Sequence, residues 1–183
     1  MSISCKRTRF IHLFAIVGLA VVLGGCEESM QQLGGNPSPN LSDGDNNFYK
    51  TLAIANMTEI DTSNLALTQS QNQAVKDFAQ KMIDDHSKAE NELASLAAEE
   101  EVTLPSELDA KHQSALDDLK ALNGPDFDKA YIDLQVKAHK QTIAADEFEA
   151  DNGMDSKTKG LANNLLDTLK MHLSMAEKLQ SER

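Results

Sequence analysis

The chain of 183 residues has no Trp, two Tyr and six Phe, so a core cannot be built around large rings and must come from Leu, Ala, Ile and Met. Four Pro and nine Gly leave long stretches without a helix breaker. There are two Cys. Cys5 lies in the basic N-terminal stretch and Cys26 at the end of the one long apolar run, so residues 27–183 contain no thiol. A disulfide framework, a thiolate metal site and a cysteine nucleophile are excluded from that part of the chain. Gly-rich phosphate loops, Gly-x-Ser-x-Gly and His-Glu-x-x-His are also missing, so the sequence carries no sign of hydrolase chemistry and the reading leans away from an enzyme.

What is present begins with an export address. Lys6, Arg7 and Arg9 precede the apolar run Phe10 to Leu23, which ends in Gly24-Gly25-Cys26. A basic start, a short greasy segment and small residues before a cut describe a secretory signal over residues 1–25. The run is shorter than the roughly 20 residues that span a bilayer. Leu23-Gly24-Gly25-Cys26 resembles a bacterial lipobox, in which the sulfur of Cys26 receives diacylglycerol and becomes the first mature residue. Two or three acyl chains give a stable anchor where one would be marginal. Glu27 rather than Asp follows, and by resemblance to enteric lipoproteins this implies an outer-membrane protein facing the periplasm.

The signal holds three of the 17 basic residues and none of the 29 acidic ones, so the mature chain carries a net charge of −15. Such a surface repels phosphate backbones, which excludes nucleic acid as a partner and leaves the membrane, reached through the acyl chains, as the one partner the sequence names. The protein partner, if one exists, has no signature. Residues 26–43 read as a lipidated tether, broken by Gly34-Gly35, Pro37 and Pro39 and spanning on the order of 20–25 Å as a coil.

Residues 44–182 read as one helical domain. Ala, Leu, Gln, Lys and Glu dominate, and runs of β-branched residues are absent. The periodicity predicts helices at about 45–68, 71–100, 107–122, 126–151 and 156–181. Ser70 and Asn72 are N-cap candidates for the second helix. Pro105-Ser106 opens the third, with Asp109 at capping-box spacing; Asn123-Gly124-Pro125 and Asn152-Gly153 divide the rest, and Asp155-Ser156 caps the fifth. Four long helices with apolar stripes and one short one predict an all-α, ferritin-like four-helix bundle with the short helix in the crossover, the second and fourth helices running parallel.

Three histidines interrupt the apolar stripes near the middle of three long helices: His86 after Val75, Ala79 and Met82; His139 after Ile132 and Val136; His172 after Leu161, Leu165 and Leu169. Glu59, on the row Leu52, Ala55, Glu59, Thr62, Ala66, is the first helix's candidate to join them. A bundle builds metal sites in this way, from ligands on facing helices at one level. Counting along the helices leaves offsets of roughly 5–6 Å between levels. Three imidazoles and a carboxylate suit Zn(II) or Cu(II) better than Fe or Mn. Glu90 and Asp146 are candidates to bond the second ring nitrogens or to ligate directly, and Met57, Met82, Met171 and Met175 to offer sulfur to Cu(I). Against this stands the plainer reading, in which a histidine on an apolar stripe is a hydrogen-bonded core residue, methionines fill gaps and His112 on the short helix is structural.

Glu59-Ile60, Val75-Lys76, the segment Phe78-Ala79-Gln80-Lys81-Met82-Ile83-Asp84-Asp85-His86, Phe127-Asp128 with Tyr131, His139, and His172-Leu173 with Ala176 together resemble a ferritin-like family of bacterial envelope proteins, the domain of unknown function 4142. The resemblance spans about residues 45–180 and implies an exported helical bundle without an established reaction. The chain departs from di-iron ferritins, which carry Glu-x-x-His on two helices; here Ile83 and Leu169 stand three residues before His86 and His172. Three functional readings follow: a lipid-anchored bundle binding a transition metal for metal handling or stress tolerance; a non-catalytic helical module engaging another envelope protein; and a redox enzyme using the same metal.

Overall fold

The computed structural model describes Ser38 and residues 40–183; the signal, Cys26 and most of the expected tether lie outside the described residues. Five helices make up the domain: α1 (Asp43–Gln69), α2 (Gln73–Glu99), α3 (Ala110–Lys120), α4 (Gly124–Asn152) and α5 (Ser156–Ser181). No strand occurs among the described residues, and no helix among them is long and apolar enough to cross a membrane.

Side chains fix the helix ends. Ser42 Oγ accepts from the Asp45 amide and donates to the Asp45 carboxylate, a reciprocal cap that starts α1. Asn72 caps α2 by accepting from the Ala74 amide, while Ser70 ends α1 and accepts from the Asn72 amide. At the far end of α2, Glu101 takes a left-handed φ of 57°, Val102 N–H reaches back to Ala97 C=O, and Val102 is buried. This is a Schellman closure with Glu where Gly is usual. Asp155 caps α5 through the Lys157 and Thr158 amides. The third helix departs from expectation. It starts at Ala110 and not near residue 107, because Asp109 is itself the N-cap: its carboxylate takes the His112 amide at 2.9 Å and the His112 ring at 2.7 Å. Ser38 is buried and exchanges hydrogen bonds with Asn46, so ordered packing begins slightly before residue 44.

Two apolar clusters give the topology. One joins Ala66 at the end of α1, Val75, Phe78 and Met82 at the start of α2, Phe127, Tyr131 and Ile132 at the start of α4, and Ala176 near the end of α5. The other joins Phe48 and Leu52 at the start of α1, Leu93 and Ala97 at the end of α2, and Leu161 and Ala162 at the start of α5. The starts of α2 and α4 therefore share one end of the bundle, and the two helices run parallel. The chain makes this return through α3, which lies against α1 and sends Leu119 into the first cluster. This is the single-crossover topology of ferritin-like bundles.

Three of the six described aromatics meet at that end, while Phe48 and Tyr49 pack in the other cluster. Phe127 stacks on Tyr131 at 5.8 Å, Phe78 meets Tyr131 edge-on at 6.2 Å, and the Tyr131 hydroxyl hydrogen-bonds Ser63 at 2.8 Å. The middle of the bundle, between the two apolar clusters, is polar.

Candidate metal centre

His86, His139 and His172 meet in that middle layer, with 5%, 1% and 0% of their surface exposed. Their ring centroids lie 5.4–5.8 Å apart, and one ligand atom from each falls within 4.8 Å of the others. The true helix starts reduce the level offset inferred from sequence and reverse its sense. His86 lies 13 residues into α2 and His139 15 residues into α4, counting from Gln73 and Gly124. Two residues of difference is roughly 3 Å of rise, which ring placement absorbs.

Each ring is held by one nitrogen and leaves the other without a partner. His86 Nδ1 donates to Asn56 Oδ1 at 3.0 Å, His139 Nδ1 donates to the Gln135 carbonyl at 2.9 Å, and His172 Nε2 donates to Asp85 Oδ2 at 2.7 Å. Those acceptors fix the tautomers, so the lone pairs sit on His86 Nε2, His139 Nε2 and His172 Nδ1, all three buried and unpartnered. A buried polar atom without a partner costs about 1–3 kcal/mol, and three in one place ask for a common occupant. Atoms within 4.8 Å of one another have a central point no more than about 2.8 Å from each, against ligand bonds near 2.0–2.1 Å. Moving each ring inward by roughly 0.7 Å closes that gap.

Burial keeps the His86 and His172 rings neutral. Burial, reinforced by the two neighbouring imidazoles, pushes the His86 pKa down to about 3. Burial also lowers that of His172, against the pull of Asp85. Asp85 itself sits below the usual carboxylate range; burial opposes this, but hydrogen bonds from Lys81 and His172 outweigh it. Neutral imidazole is the form that ligates a metal.

The remaining sequence candidates are placed differently. Glu59 is 5% exposed, and its Oε1 is 3.9 Å from His139 Nδ1, the edge that carries the proton. It thus faces the back of that ring, away from the unpartnered nitrogen. Burial raises its pKa, opposed by His139 and by a hydrogen bond from Gln135. Glu90 touches no ring; its carboxylate accepts from Asn56 Nδ2 at 3.1 Å and steadies the amide that holds His86. Asp146, 1% exposed, lines a different cavity, between α1, α3 and α4. His112 is occupied with its cap, Asp109. Met82 is buried in the first apolar cluster, Met175 packs against it, and Met171 is 39% exposed; no methionine among the described residues lines the histidine cavity.

That cavity measures about 150 Å³ and is bounded by Asn56, Glu59, Asp85, Leu165, Leu169 and the three rings. Sequence reasoning missed Asn56, Asp85 and Gln135. Asn56 lies one turn past Leu52 on the inner row of α1 and is 1% exposed, so a polar residue on an apolar row was the available signal. Asp85 gave none: beside Asp84 it reads as part of a solvated acidic face.

A family model described as a domain of unknown function, DUF4142, matches residues 31–179. The chain belongs to the DUF4142 family. No curated protein matches this DUF4142 chain. Among solved structures, a DUF305 fragment from Deinococcus radiodurans superposes with a TM-score of 0.71 at 12% identity, covering 79% of this chain and 100% of that one. CopM in its Cu(II)-bound form superposes with a TM-score of 0.65 at 15% identity, and in its Cu(I)-bound form with 0.64 at 16%, each covering 75% of this chain and 96% of CopM. At such identities the likeness is one of fold.

Proposed function

We propose that this DUF4142 protein is a lipid-anchored envelope protein that binds a copper ion between His86, His139 and His172. One observation carries the reading: three imidazoles from three helices line one small cavity with a ligand atom of each within 4.8 Å of the others, and each has one buried nitrogen unpartnered while its other nitrogen is fixed. Three imidazole nitrogens, with no thiol among the described residues, suit copper or zinc, and the intrinsic order of affinities places Cu(II) above Zn(II). That CopM, of the same fold, has been seen with both Cu(II) and Cu(I) supports copper as the first metal to test. Asp85, in the lining of the cavity, supplies negative charge to balance the ion.

The role that follows is sequestration of copper at the membrane, with Cys26 as the lipid attachment point in the outer membrane and the domain in the periplasm. Titration of the untagged protein with Cu(I), Cu(II) and Zn(II) against a chelator tests the site. One equivalent of copper is expected, weakened at least tenfold in His86→Ala and in His139→Ala. Equal affinity in wild type and both variants would contradict it. Retention in the membrane fraction, lost in Cys26→Ser, tests the anchor.

A further inference from the structure

A second cavity, of about 510 Å³, lies between α1, α3 and α4, on the other side of Glu59 from the histidines. Its walls are largely apolar, from Phe48, Leu52, Ile54 and Ala138. Two buried acids also face it. Asp146 is 1% exposed and Glu59 5%, and one oxygen of each, Asp146 Oδ2 and Glu59 Oε2, has no hydrogen-bond partner. The charge that acts on Asp146 is the like charge of Glu149, while Asp109, Lys111 and His112 of the α3 end line the same cavity.

The acids are spaced. Glu59 lies beside His139, and Asp146 is seven residues further along α4, roughly 10 Å of helix rise. Two carboxyls thus stand apart in the wall of one cavity, with Phe48, Leu52 and Ala138 also lining it. Two acids so far apart cannot share one metal ion, whose ligand bonds are near 2 Å. We infer that this cavity binds an aliphatic diamine or polyamine, with one ammonium on Asp146, the methylene chain along Phe48, Leu52 and Ala138, and a second ammonium on Glu59. Charge-assisted bonds at both ends select the amine, and the apolar middle rejects a hydrated inorganic cation.

The inference is independent of copper at the histidines, and its test keeps the two apart. Calorimetric titration of the untagged full chain at physiological salt, which screens general attraction to an acidic surface, uses putrescine, butylamine and butanediol as probes. Putrescine binds at one equivalent, butylamine at least about tenfold more weakly, and butanediol without measurable heat. Asp146→Asn lowers putrescine affinity at least about tenfold. Ala145→Leu, at an exposed position on the same cavity wall, does the same by filling it. His86→Ala binds putrescine like wild type, so a failed copper site leaves this result standing. The assignment is overturned if putrescine binds both cavity variants as tightly as wild type, if butanediol binds as well as putrescine, if no probe binds, or if magnesium displaces putrescine from His86→Ala protein at equal concentration.

Discussion

Asp146 makes a titration experiment quantitative. Its carboxyl is 1% exposed, and burial, with repulsion from Glu149 second, raises its pKa from 3.8 to about 7. The folded state holds this proton more tightly than the unfolded state. The resulting stabilisation is fully present below a pH of about 3.8 and is lost as pH rises through about 7. Integrating between about pH 5 and pH 8, the metal-free protein loses roughly 2.5 kcal/mol from this group alone. Asp146→Asn has no such proton to lose. Glu149, also raised to about 7 by burial and by its hydrogen bond with Asp45, titrates in both proteins and largely cancels in the comparison. The stability difference between wild type and variant therefore moves against wild type by about 2–3 kcal/mol over that range, or roughly 5–10 °C in Tm. Urea unfolding followed by far-UV circular dichroism at the two pH values measures it. A difference that stays constant with pH, or that moves in favour of wild type on raising pH, would refute the reasoning that burial and Glu149 hold the Asp146 proton.

Three further outcomes follow from packing and from the layer behind the rings. Met82→Ala empties a fully buried position beneath Phe78 and Tyr131 and lowers stability by about 2–5 kcal/mol in denaturant titration. Asp85→Ala leaves the N–H of the buried His172 ring without its acceptor; copper affinity falls about 10–100-fold by chelator competition, and stability falls by about 1–3 kcal/mol in denaturant titration. Gly153→Ala places a Cβ against the Glu149 carboxylate and 2.7 Å from its carbonyl oxygen, at the turn that leads into α5. That overpacking costs about 1–3 kcal/mol, measurable as a lowered denaturation midpoint.

The bundle was legible because its signals are local. Ser, Asn and Asp caps, Pro125 at the start of α4 and stripes of spacing three and four each report on a few residues, and they place most helix ends to within about two residues. The start of α3 was misplaced because Asp109 can serve as the far member of a box begun by Ser106 or as a cap in its own right. The contest was decided by its bond to the His112 ring, which spacing does not reveal. The three histidines were legible as interruptions of apolar rows. What holds them was not. Asn56 and Asp85 reach His86 and His172 across helix interfaces, over separations of 30 and 87 residues. Glu59 was on the right row and in the right layer, but which edge of His139 it meets depends on the Gln135 carbonyl taking the Nδ1 proton. Asp146, two turns from His139 on the same helix, faces another cavity because seven residues carry it past the metal layer.

X-ray absorption at the copper edge, on the untagged chain loaded with one equivalent, tests the centre most directly. The account predicts three histidine nitrogens at about 2.0 Å, with one scatterer lost in each of His86→Ala, His139→Ala and His172→Ala. A shell of sulfur, or of carboxylate and water oxygens alone, or copper washed out of the wild-type chain by mild chelation, would contradict it.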